Sequence, residues 1–226
     1  MVELQDELIG RNLPTAHQNF KQGFEEGYWW PGSTADPGAY TMIGTKRLDQ
    51  LALALEDLDE RGVPGDLIET GVWRGGVLVW MARHSSRHVY GADSFQGVPP
   101  PTWSEDKECE LYKLDFLSVS EEQVRANLHH FGVSDRVELW KGWFHQSLPL
   151  LDHKTWALIR LDGDLYESTY IALENLYPRL SPGGYCVVDD YGAILQCQHA
   201  VNDFRRTQGI TSPMTRTDHS EVWWLK

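Results

Sequence analysis

The sequence predicts an α/β fold built on a doubly wound, mostly parallel sheet with helices on both faces. Two observations carry this prediction. Segments with strand character alternate with helical segments along most of the 226 residues. The strand segments are also nearly continuously apolar, which is typical of strands buried on both faces of a parallel sheet. Ligands of such sheets bind beyond the carboxyl ends of the strands, so functional residues are expected there.

The individual elements follow from periodicity and from turn residues. We predict strands at residues 66–70, 88–93, 137–142, 156–162 and 185–190, and a last, antiparallel edge strand in the EVWWLK tail. We predict helices at 41–62, from the glycines at 75–76 through Met81, at 120–131, at 166–180 and up to about Arg206. Residues 1–39 are predicted to be irregular, and residues 94–117 to form a long, proline-containing excursion.

Composition narrows the classes of partner. A formal net charge of −13 argues against nucleic acid, which requires basic surfaces. No apolar run has the length of a membrane span, and the acidic N-terminus does not resemble a signal peptide. Three cysteines without metal or redox spacing indicate a reducing, cytoplasmic setting. Core packing explains most of the ten Trp and nine Tyr, but aromatic rings also stack on sugars, so a carbohydrate ligand is an alternative explanation for some of them.

Two strand ends carry groups suited to a nucleoside ligand. The first strand leads into the turn Glu69-Thr-Gly-Val-Trp-Arg-Gly-Gly76, in which Gly71 allows a close approach and Glu69 suits a cationic ligand group. The turn lacks the dinucleotide spacing, and a tight turn without a ligand explains it equally well. The second strand ends in Asp93 and Ser94, near the spacing at which an acid binds ribose; the alternative is an Asp that caps the next turn. Together with the glycine turn, this spacing favours ribose binding.

Four carboxylates follow two further strands, as Asp162-Gly-Asp164 and as Asp189-Asp190. If the two strands are neighbours, the carboxylates converge at one edge, where they repel one another unless a cation lies between them. A ligand set of oxygen atoms favours Mg²⁺, Ca²⁺ or Mn²⁺ over zinc. Helix capping explains any one of these acids but explains two Asp pairs poorly.

A glycine turn, a ribose acid and a divalent cation site suit the transfer of a methyl group from S-adenosyl-L-methionine to a hydroxyl. A bound cation lowers the pKa of the hydroxyl, and a nearby carboxylate accepts its proton. The remaining requirement for methyl transfer is that the hydroxyl oxygen, the methyl carbon and the sulfur are aligned.

These motifs resemble the macrocin O-methyltransferase (TylF-type) family, Mg²⁺-dependent enzymes that methylate sugar hydroxyls of glycosylated natural products. The matching segments are TMIG (41–44) with Arg47-Leu48, GDLIETGVWRGG (65–76), ADSFQG (92–97), GWF (142–144), RLDGDLYEST (160–169), SPGGY (181–185) and DDYG (189–192). The resemblance implies a Rossmann-like class I methyltransferase fold over residues 1–226. It also implies that residues 1–60 form part of a cap and that 94–117 form an acceptor-side lid.

The resemblance also implies roles for individual residues. The metal ligands fall on Asp162, Asp189 and Asp190, and the general base on Asp164. The cofactor contacts fall on Thr41, Met42, Glu69, Gly71, Asp93, Ser94 and Trp143. Within this set we expect Asp93 on the ribose, Trp143 near the adenine and Glu69 near the methionine part. By contrast, Glu167 is predicted to be structural, because it falls in the first turn of a helix.

The chain departs from the family pattern after Trp143, where it continues FHQSLP (144–149). We therefore treat His145 as a candidate that shares the proton transfer, against the alternative of a surface histidine. The acceptor stays open among a glycosylated natural product, a saccharide and a nucleotide sugar. A catechol-like phenol and a non-catalytic cofactor- or sugar-binding role are the alternatives. A homodimer or larger homo-oligomer is expected.

Overall fold

The computed structural model describes residues 2–10 and 38–226. Within these residues seven strands form one sheet in the order β3-β2-β1-β4-β5-β7-β6. The strands are β1 Asp66–Thr70, β2 Val89–Asp93, β3 Val137–Lys141, β4 Trp156–Leu161, β5 Leu180–Val188, β6 Thr215–Arg216 and β7 Val222–Leu225. β1 to β5 pair in parallel, whereas β7 runs antiparallel to β5 and to β6. The predicted fold class is confirmed.

The helices of the described residues cover both faces of this sheet. They are α1 Val2–Leu8, α2 Thr45–Glu60, α3 Gly76–His84, α4 Glu121–His130, α5 Phe144–Ser147, α6 Tyr166–Leu176 and α7 Leu195–Thr207. The apolar residues of α2, α3 and α4 belong to one hydrophobic cluster, and those of α6 and α7 belong to a second.

Alternation along the strands generates these two clusters. In β1, Leu67 joins the first cluster and Ile68 the second; in β5, Val187 joins the first and Val188 the second. Successive side chains of a strand point to opposite faces, so a strand covered on both sides is apolar at every position. The continuous apolar runs in the sequence therefore predicted a sheet buried on both faces.

Several predicted boundaries are wrong. Residues 2–8 are helical rather than irregular, and α2 begins at Thr45 rather than at 41. The helix predicted at 166–180 ends at Leu176, because Pro178 lacks the N–H that a continuing helix requires. The Ser-Pro-Gly-Gly stretch after it belongs to β5, which begins at Leu180. The C-terminal strand is not at the edge, because β6 pairs with its outer side.

The cap predicted at residues 1–60 lies in part outside the described residues. None of the helices in the described parts of the chain has the length and apolar character that a membrane span requires.

Candidate active site

The topology brings the carboxyl ends of β1, β4 and β5 together at one edge of the sheet. Thr70 pairs with Leu161, and Leu161 pairs with Val188, so the chain leaves all three strands at the same level. The ladder continues one residue further, because the N–H of Asp162 donates to Thr70 O at 2.9 Å and that of Asp189 donates to Leu161 O at 2.9 Å. The strand order reverses between β1 and β4, which is where doubly wound sheets bind their ligands.

Three carboxylates converge at this edge. Asp162, Asp164 and Asp190 each present an oxygen atom, and these oxygens all lie within 4.8 Å of one another. Burial raises the pKa of Asp162 to about 6, with the negative charge of Asp189 adding to the effect. Burial, together with Asp162 and Asp189, raises the pKa of Asp164 to about 8. Burial and the nearby Asp164 also hold the pKa of Asp190 well above its usual range.

The residues fit a hard divalent cation. The converging donors are carboxylate oxygens, and Oδ2 of Asp190 is buried without a hydrogen-bond partner in the described part of the chain. A buried acceptor without a partner is costly, and a cation bound there would remove that cost. Oxygen donors of this kind are those that Mg²⁺ and Ca²⁺ prefer.

Asp189 differs from the other three acids, because two buried arginines hold its carboxylate. Nη1 of Arg47 donates to Oδ2 of Asp189 at 2.6 Å, and Nη2 of Arg160 donates to Oδ1. Burial alone would raise the pKa of Asp189, but the two guanidinium groups outweigh burial and hold the pKa below its usual range. Each carboxylate oxygen keeps a second lone pair, so the arginines leave Asp189 able to bind a cation.

Arg160 is the centre of a wider network that the sequence reasoning missed. Its Nη1 donates at 2.8 Å to Oε1 of Glu69 and at 2.8 Å to Oδ2 of Asp162, so it joins the ends of three strands. The signal was present in the sequence, because Arg160 interrupts the apolar run of β4. A fully buried arginine requires acidic partners.

The turn after β1 has a strained and specific backbone. Gly71 has φ +84°, and a Cβ atom at this position would overlap the carbonyl oxygen of Asp162. Trp73 and Asp164 also have positive φ, at 48° and 59°, although neither is glycine. Strained residues of this kind concentrate at functional sites, where packing holds them.

Asp93 fixes that turn. Its Oδ2 accepts from the N–H of Val72 at 2.6 Å, and its Oδ1 accepts from the N–H of Phe95 at 2.7 Å. Burial raises the pKa of Asp93, and these backbone donors oppose the rise. The turn-capping role that the sequence left open is therefore present. Ribose binding by Asp93 stays a prediction, as does cofactor binding by Ser94, whose hydroxyl accepts from the N–H of Gln96.

Two cavities adjoin the carboxylates. The smaller, of about 350 Å³, is lined by Asp93, Ser94, Trp143 and His145 among others. The larger, of about 850 Å³, is lined by Thr41, Glu69, Asp189 and Asp190 among others. The residues that line both are Met42, Gly71, Trp73, Leu117, Asp162 and Asp164. Asp162 and Asp164 thus lie where the two cavities adjoin each other.

The remaining candidates occupy defined positions. His145 is exposed on α5 and lines the smaller cavity only, so its catalytic role stays a prediction. Glu167 lies in the first turn of α6 as predicted, and its carboxylate accepts from the hydroxyl of Thr102. The N-terminus of α6 is capped by Asp106, whose oxygens accept from the N–H groups of Tyr166 at 2.7 Å and Glu167 at 2.9 Å. Asp106 thereby ties the 94–117 segment to the site.

A seven-stranded sheet in this order, with a glycine turn and acids at the switch point, defines a class I methyltransferase. The fold is shared with the O-methyltransferase from Bacillus cereus in complex with SAH, at 15% identity over 79% of this chain and 81% of that chain and with a TM-score of 0.54. At that identity the likeness concerns the fold.

Residues 7–226 match the family model of macrocin O-methyltransferase (TylF). The chain belongs to this family and is an S-adenosylmethionine-dependent O-methyltransferase, which confirms the resemblance seen in the sequence. It is 47% identical to 8-demethyl-8-(2,3-dimethoxy-alpha-L-rhamnosyl)-tetracenomycin-C 4'-O-methyltransferase of Streptomyces olivaceus, over 82% of this chain and 75% of that protein. It is 41% identical to demethyldecarbamoylnovobiocin O-methyltransferase of Streptomyces niveus, over 89% of this chain and 79% of that protein. The structure of the O-methyltransferase NovP matches with a TM-score of 0.90 and 38% identity, over 100% of this chain and 97% of that chain.

Proposed function

We propose that the enzyme transfers the methyl group of S-adenosylmethionine to a sugar hydroxyl of a glycosylated natural product, in a reaction that depends on a divalent cation. The position of Asp162 and Asp164 carries this proposal, because both line the two cavities at once. An acceptor hydroxyl in the larger cavity would meet the methyl group of a cofactor that spans both cavities at these carboxylates. The names of two relatives support the acceptor class: the tetracenomycin 4'-O-methyltransferase and mycinamicin III 3''-O-methyltransferase of Micromonospora griseorubida.

The cation site is proposed on Asp162, Asp189 and Asp190. A bound Mg²⁺ supplies a Lewis acid that lowers the pKa of the acceptor hydroxyl and orients it. Asp162 and Asp190 contribute oxygens from the converging cluster, and Asp189 contributes oxygens that it shares with Arg47 and Arg160. Mn²⁺ and Ca²⁺ have the same preference for oxygen ligands and are the alternatives.

Asp164 is proposed to accept the proton of the hydroxyl. It follows Gly163 in a left-handed backbone conformation at φ 59°, and it lines both cavities beside the cation ligands. A carboxylate at hydrogen-bonding distance from the hydroxyl is suited to general base catalysis. A share for His145 in this proton transfer remains a prediction.

The cofactor is proposed to span the two cavities. Asp93, Ser94 and Trp143 line the smaller cavity, which would hold the adenosine, and Thr41 and Glu69 line the larger, which would hold the methionine part. The shared residues Met42 and Gly71 would adjoin the sulfur between them. The 94–117 lid is proposed for the acceptor side, since Glu108 and Leu114 also line the larger cavity.

Labelled S-adenosylmethionine and a panel of acceptors would test this proposal. We expect turnover on a deoxyhexose glycoside to be lost after chelation and restored by Mg²⁺, while the affinity for S-adenosylhomocysteine stays within about threefold. Asp162→Asn should have the same effect as chelation, whereas Asp152→Asn, at an exposed residue, should not. Full methyl transfer by metal-free protein would contradict the cation dependence, and preference for a catechol or a nucleotide sugar would contradict the acceptor class.

Cytoplasmic localisation and a homodimeric or larger assembly complete the proposal. The first rests on the cysteine content, and the second is an expectation from the sequence, with the N-terminal arm and the 94–117 segment as the expected contact elements. Light scattering coupled to size-exclusion chromatography measures the assembly directly.

A further inference from the structure

The loop between β6 and β7, residues 217–221, packs against the segment that follows β5. The N–H of Gly192 donates to Ser220 O at 2.8 Å, and the hydroxyl of Ser220 donates to the backbone carbonyl of Asp189 at 2.6 Å. A Cβ atom at Gly192 would overlap the carbonyl oxygen of His219, so the two segments are in backbone contact. The C-terminal hairpin therefore adjoins the segment that carries Asp189 and Asp190.

Asp218 divides its two carboxylate oxygens between this loop and α2. Its Oδ1 accepts from the N–H groups of Ser220 at 2.8 Å and Glu221 at 2.9 Å. Its Oδ2 accepts from Nε of Arg47 at 2.7 Å, and the side chains of Asp218 and Arg47 are only 1% and 3% exposed. One oxygen thus fixes the loop, and the other fixes a buried guanidinium group through a charge-assisted hydrogen bond.

The guanidinium group connects Asp218 to Asp189. Nη1 of Arg47 donates to Oδ2 of Asp189 at 2.6 Å, while Nε donates to Asp218. A guanidinium group is planar and holds its N–H donors at fixed angles, so the position of one carboxylate constrains that of the other. Nη2 of Arg160 holds the second oxygen of Asp189. The orientation of Asp189 is therefore set from two sides.

We propose that Asp218 is a positioning residue for the cation site, and that it orients the carboxylate of Asp189 through Arg47. The inference rests on the proposed cation dependence and adds a residue of the C-terminal hairpin that lines neither cavity. Groups that orient a metal ligand without touching the metal change the metal affinity by about 10- to 100-fold. An effect of this size is expected from Asp218.

Asp218 also balances the charge of Arg47. A guanidinium group in contact with a cation ligand repels the cation, and a buried carboxylate on the other side of the guanidinium offsets this repulsion. Loss of Asp218 would therefore weaken cation binding through orientation and through charge. A variant that keeps the charge of Arg47 separates the two effects.

Titration of metal-free protein with Mn²⁺, with free Mn²⁺ followed by electron paramagnetic resonance, tests the inference without an activity assay. Asp218→Asn keeps an amide oxygen for the two N–H groups of the loop but presents an NH₂ group to Arg47, from which it cannot accept. We expect about tenfold weaker Mn²⁺ binding. The affinity for S-adenosylhomocysteine without cation should stay within about twofold, because Asp218 lines neither cavity.

Arg47→Lys is the variant that retains the charge. A single ammonium group replaces the planar group that bridges two carboxylates, so Asp189 loses its fixed orientation. We again expect about tenfold weaker Mn²⁺ binding. Asp59→Asn is the matched control, because Asp59 also accepts from an arginine Nε, that of Arg87 at 2.8 Å, and lines neither cavity. Its Mn²⁺ affinity should change less than about twofold.

The outcomes separate this inference from the proposed function. Unchanged Mn²⁺ affinity in folded Asp218→Asn, with or without a loss of stability in urea, would make Asp218 merely structural and overturn the inference. Weaker binding in Asp218→Asn but not in Arg47→Lys would reduce its role to charge and overturn the positioning. If Asp218→Asn does not fold, Arg47→Lys decides alone. Absence of Mn²⁺ binding by the wild-type protein would overturn the proposed cation site, and this inference with it.

Discussion

Gly71 and Asp162 are in backbone contact across the switch point of the sheet. A Cβ atom at Gly71 would overlap the carbonyl oxygen of Asp162, so the turn that is proposed to adjoin the cofactor lies directly against the loop that carries the carboxylates. The methyl donor and the acceptor hydroxyl have to be aligned to a fraction of an ångström. Direct contact between the two segments would provide that alignment through the backbone.

Gly71→Ala should therefore reduce both stability and cofactor binding. The left-handed φ of +84° alone costs a residue with a Cβ about 1–3 kcal/mol, and the overlap with Asp162 adds to this cost. We expect a lower free energy of unfolding in urea and at least about tenfold weaker binding of S-adenosylhomocysteine.

Gly132→Ala is the matched control for this substitution. Gly132 also has a positive φ, of +64°, but a Cβ atom there meets nothing within 4 Å. We expect a loss of about 1 kcal/mol or less with unchanged cofactor affinity. If the two variants behaved alike, the contact between Gly71 and Asp162 would have no role in binding.

The sequence predicted those parts of the fold that depend on interactions between residues close together in the chain, and it failed where distant residues or side-chain hydrogen bonds decide the structure. β1 was predicted at its observed bounds, because its apolar run and the following glycine turn are local signals. The start of α2 was wrong, because residues 41–44 have another local structure in which the hydroxyl of Thr41 accepts from the N–H of Ile43. Helical periodicity does not reveal such a turn.

The site was predicted in the same uneven way. The convergence of Asp162 and Asp190 was predicted, because strand ends meet at one edge of a parallel sheet. The pairing of Arg47 with Asp189 was not predicted, because it joins residues that are 142 positions apart in the sequence and meet only where α2 packs against the end of β5. The buried network of Arg160 could have been predicted from the sequence, because a charged residue within an apolar strand requires partners of opposite charge.

The metal-free protein should lose stability as pH rises. Burial raises the pKa of Asp162 to about 6 and that of Asp164 to about 8, above the value of about 3.9 that an unfolded Asp has. Between these pKa values the folded state binds more protons than the unfolded state does. The contribution of these two acids to the free energy of unfolding is therefore fully present below about pH 4 and is lost as pH rises through the folded pKa of about 8. Urea denaturation in a chelator, from pH 5 to pH 9, measures this loss.

Asp164→Asn removes one of the titrating charges. At pH 9 the metal-free variant should be more stable than the wild type by on the order of 1 kcal/mol or more, although it should lack turnover. Mg²⁺ should narrow the difference by stabilising the wild-type carboxylates. Equal dependence on pH in the two proteins would show that Asp164 does not titrate in this range.

Arg160→Met should strongly destabilise the fold. The substitution leaves the carboxylates of Glu69, Asp162 and Asp189 without their shared cation in a buried setting, a loss that costs about 3–5 kcal/mol. Arg61→Met is the comparison, because the pair of Arg61 with Asp57 is more than a third exposed and is worth less than about 1 kcal/mol. The free energy of unfolding in urea measures both, and similar losses would contradict the central role of Arg160.

Asp106→Ala should release the 94–117 segment from α6. Asp106 is fully buried, and its carboxylate caps the helix by accepting from the N–H groups of Tyr166 and Glu167. Loss of a cap costs about 0.5–2 kcal/mol, and here it also removes the link between the segment and the helix. Because Lys107 and Lys113 lie within the segment, trypsin should cleave the variant there several times faster than the wild type.

Ser120→Ala is the control, because it removes a different cap, the hydroxyl that accepts from the N–H of Gln123 at the start of α4. This variant should leave the cleavage of the 94–117 segment unchanged. Equal acceleration in both variants would indicate general destabilisation rather than release of the segment, and slow cleavage in both would mean that other contacts hold it.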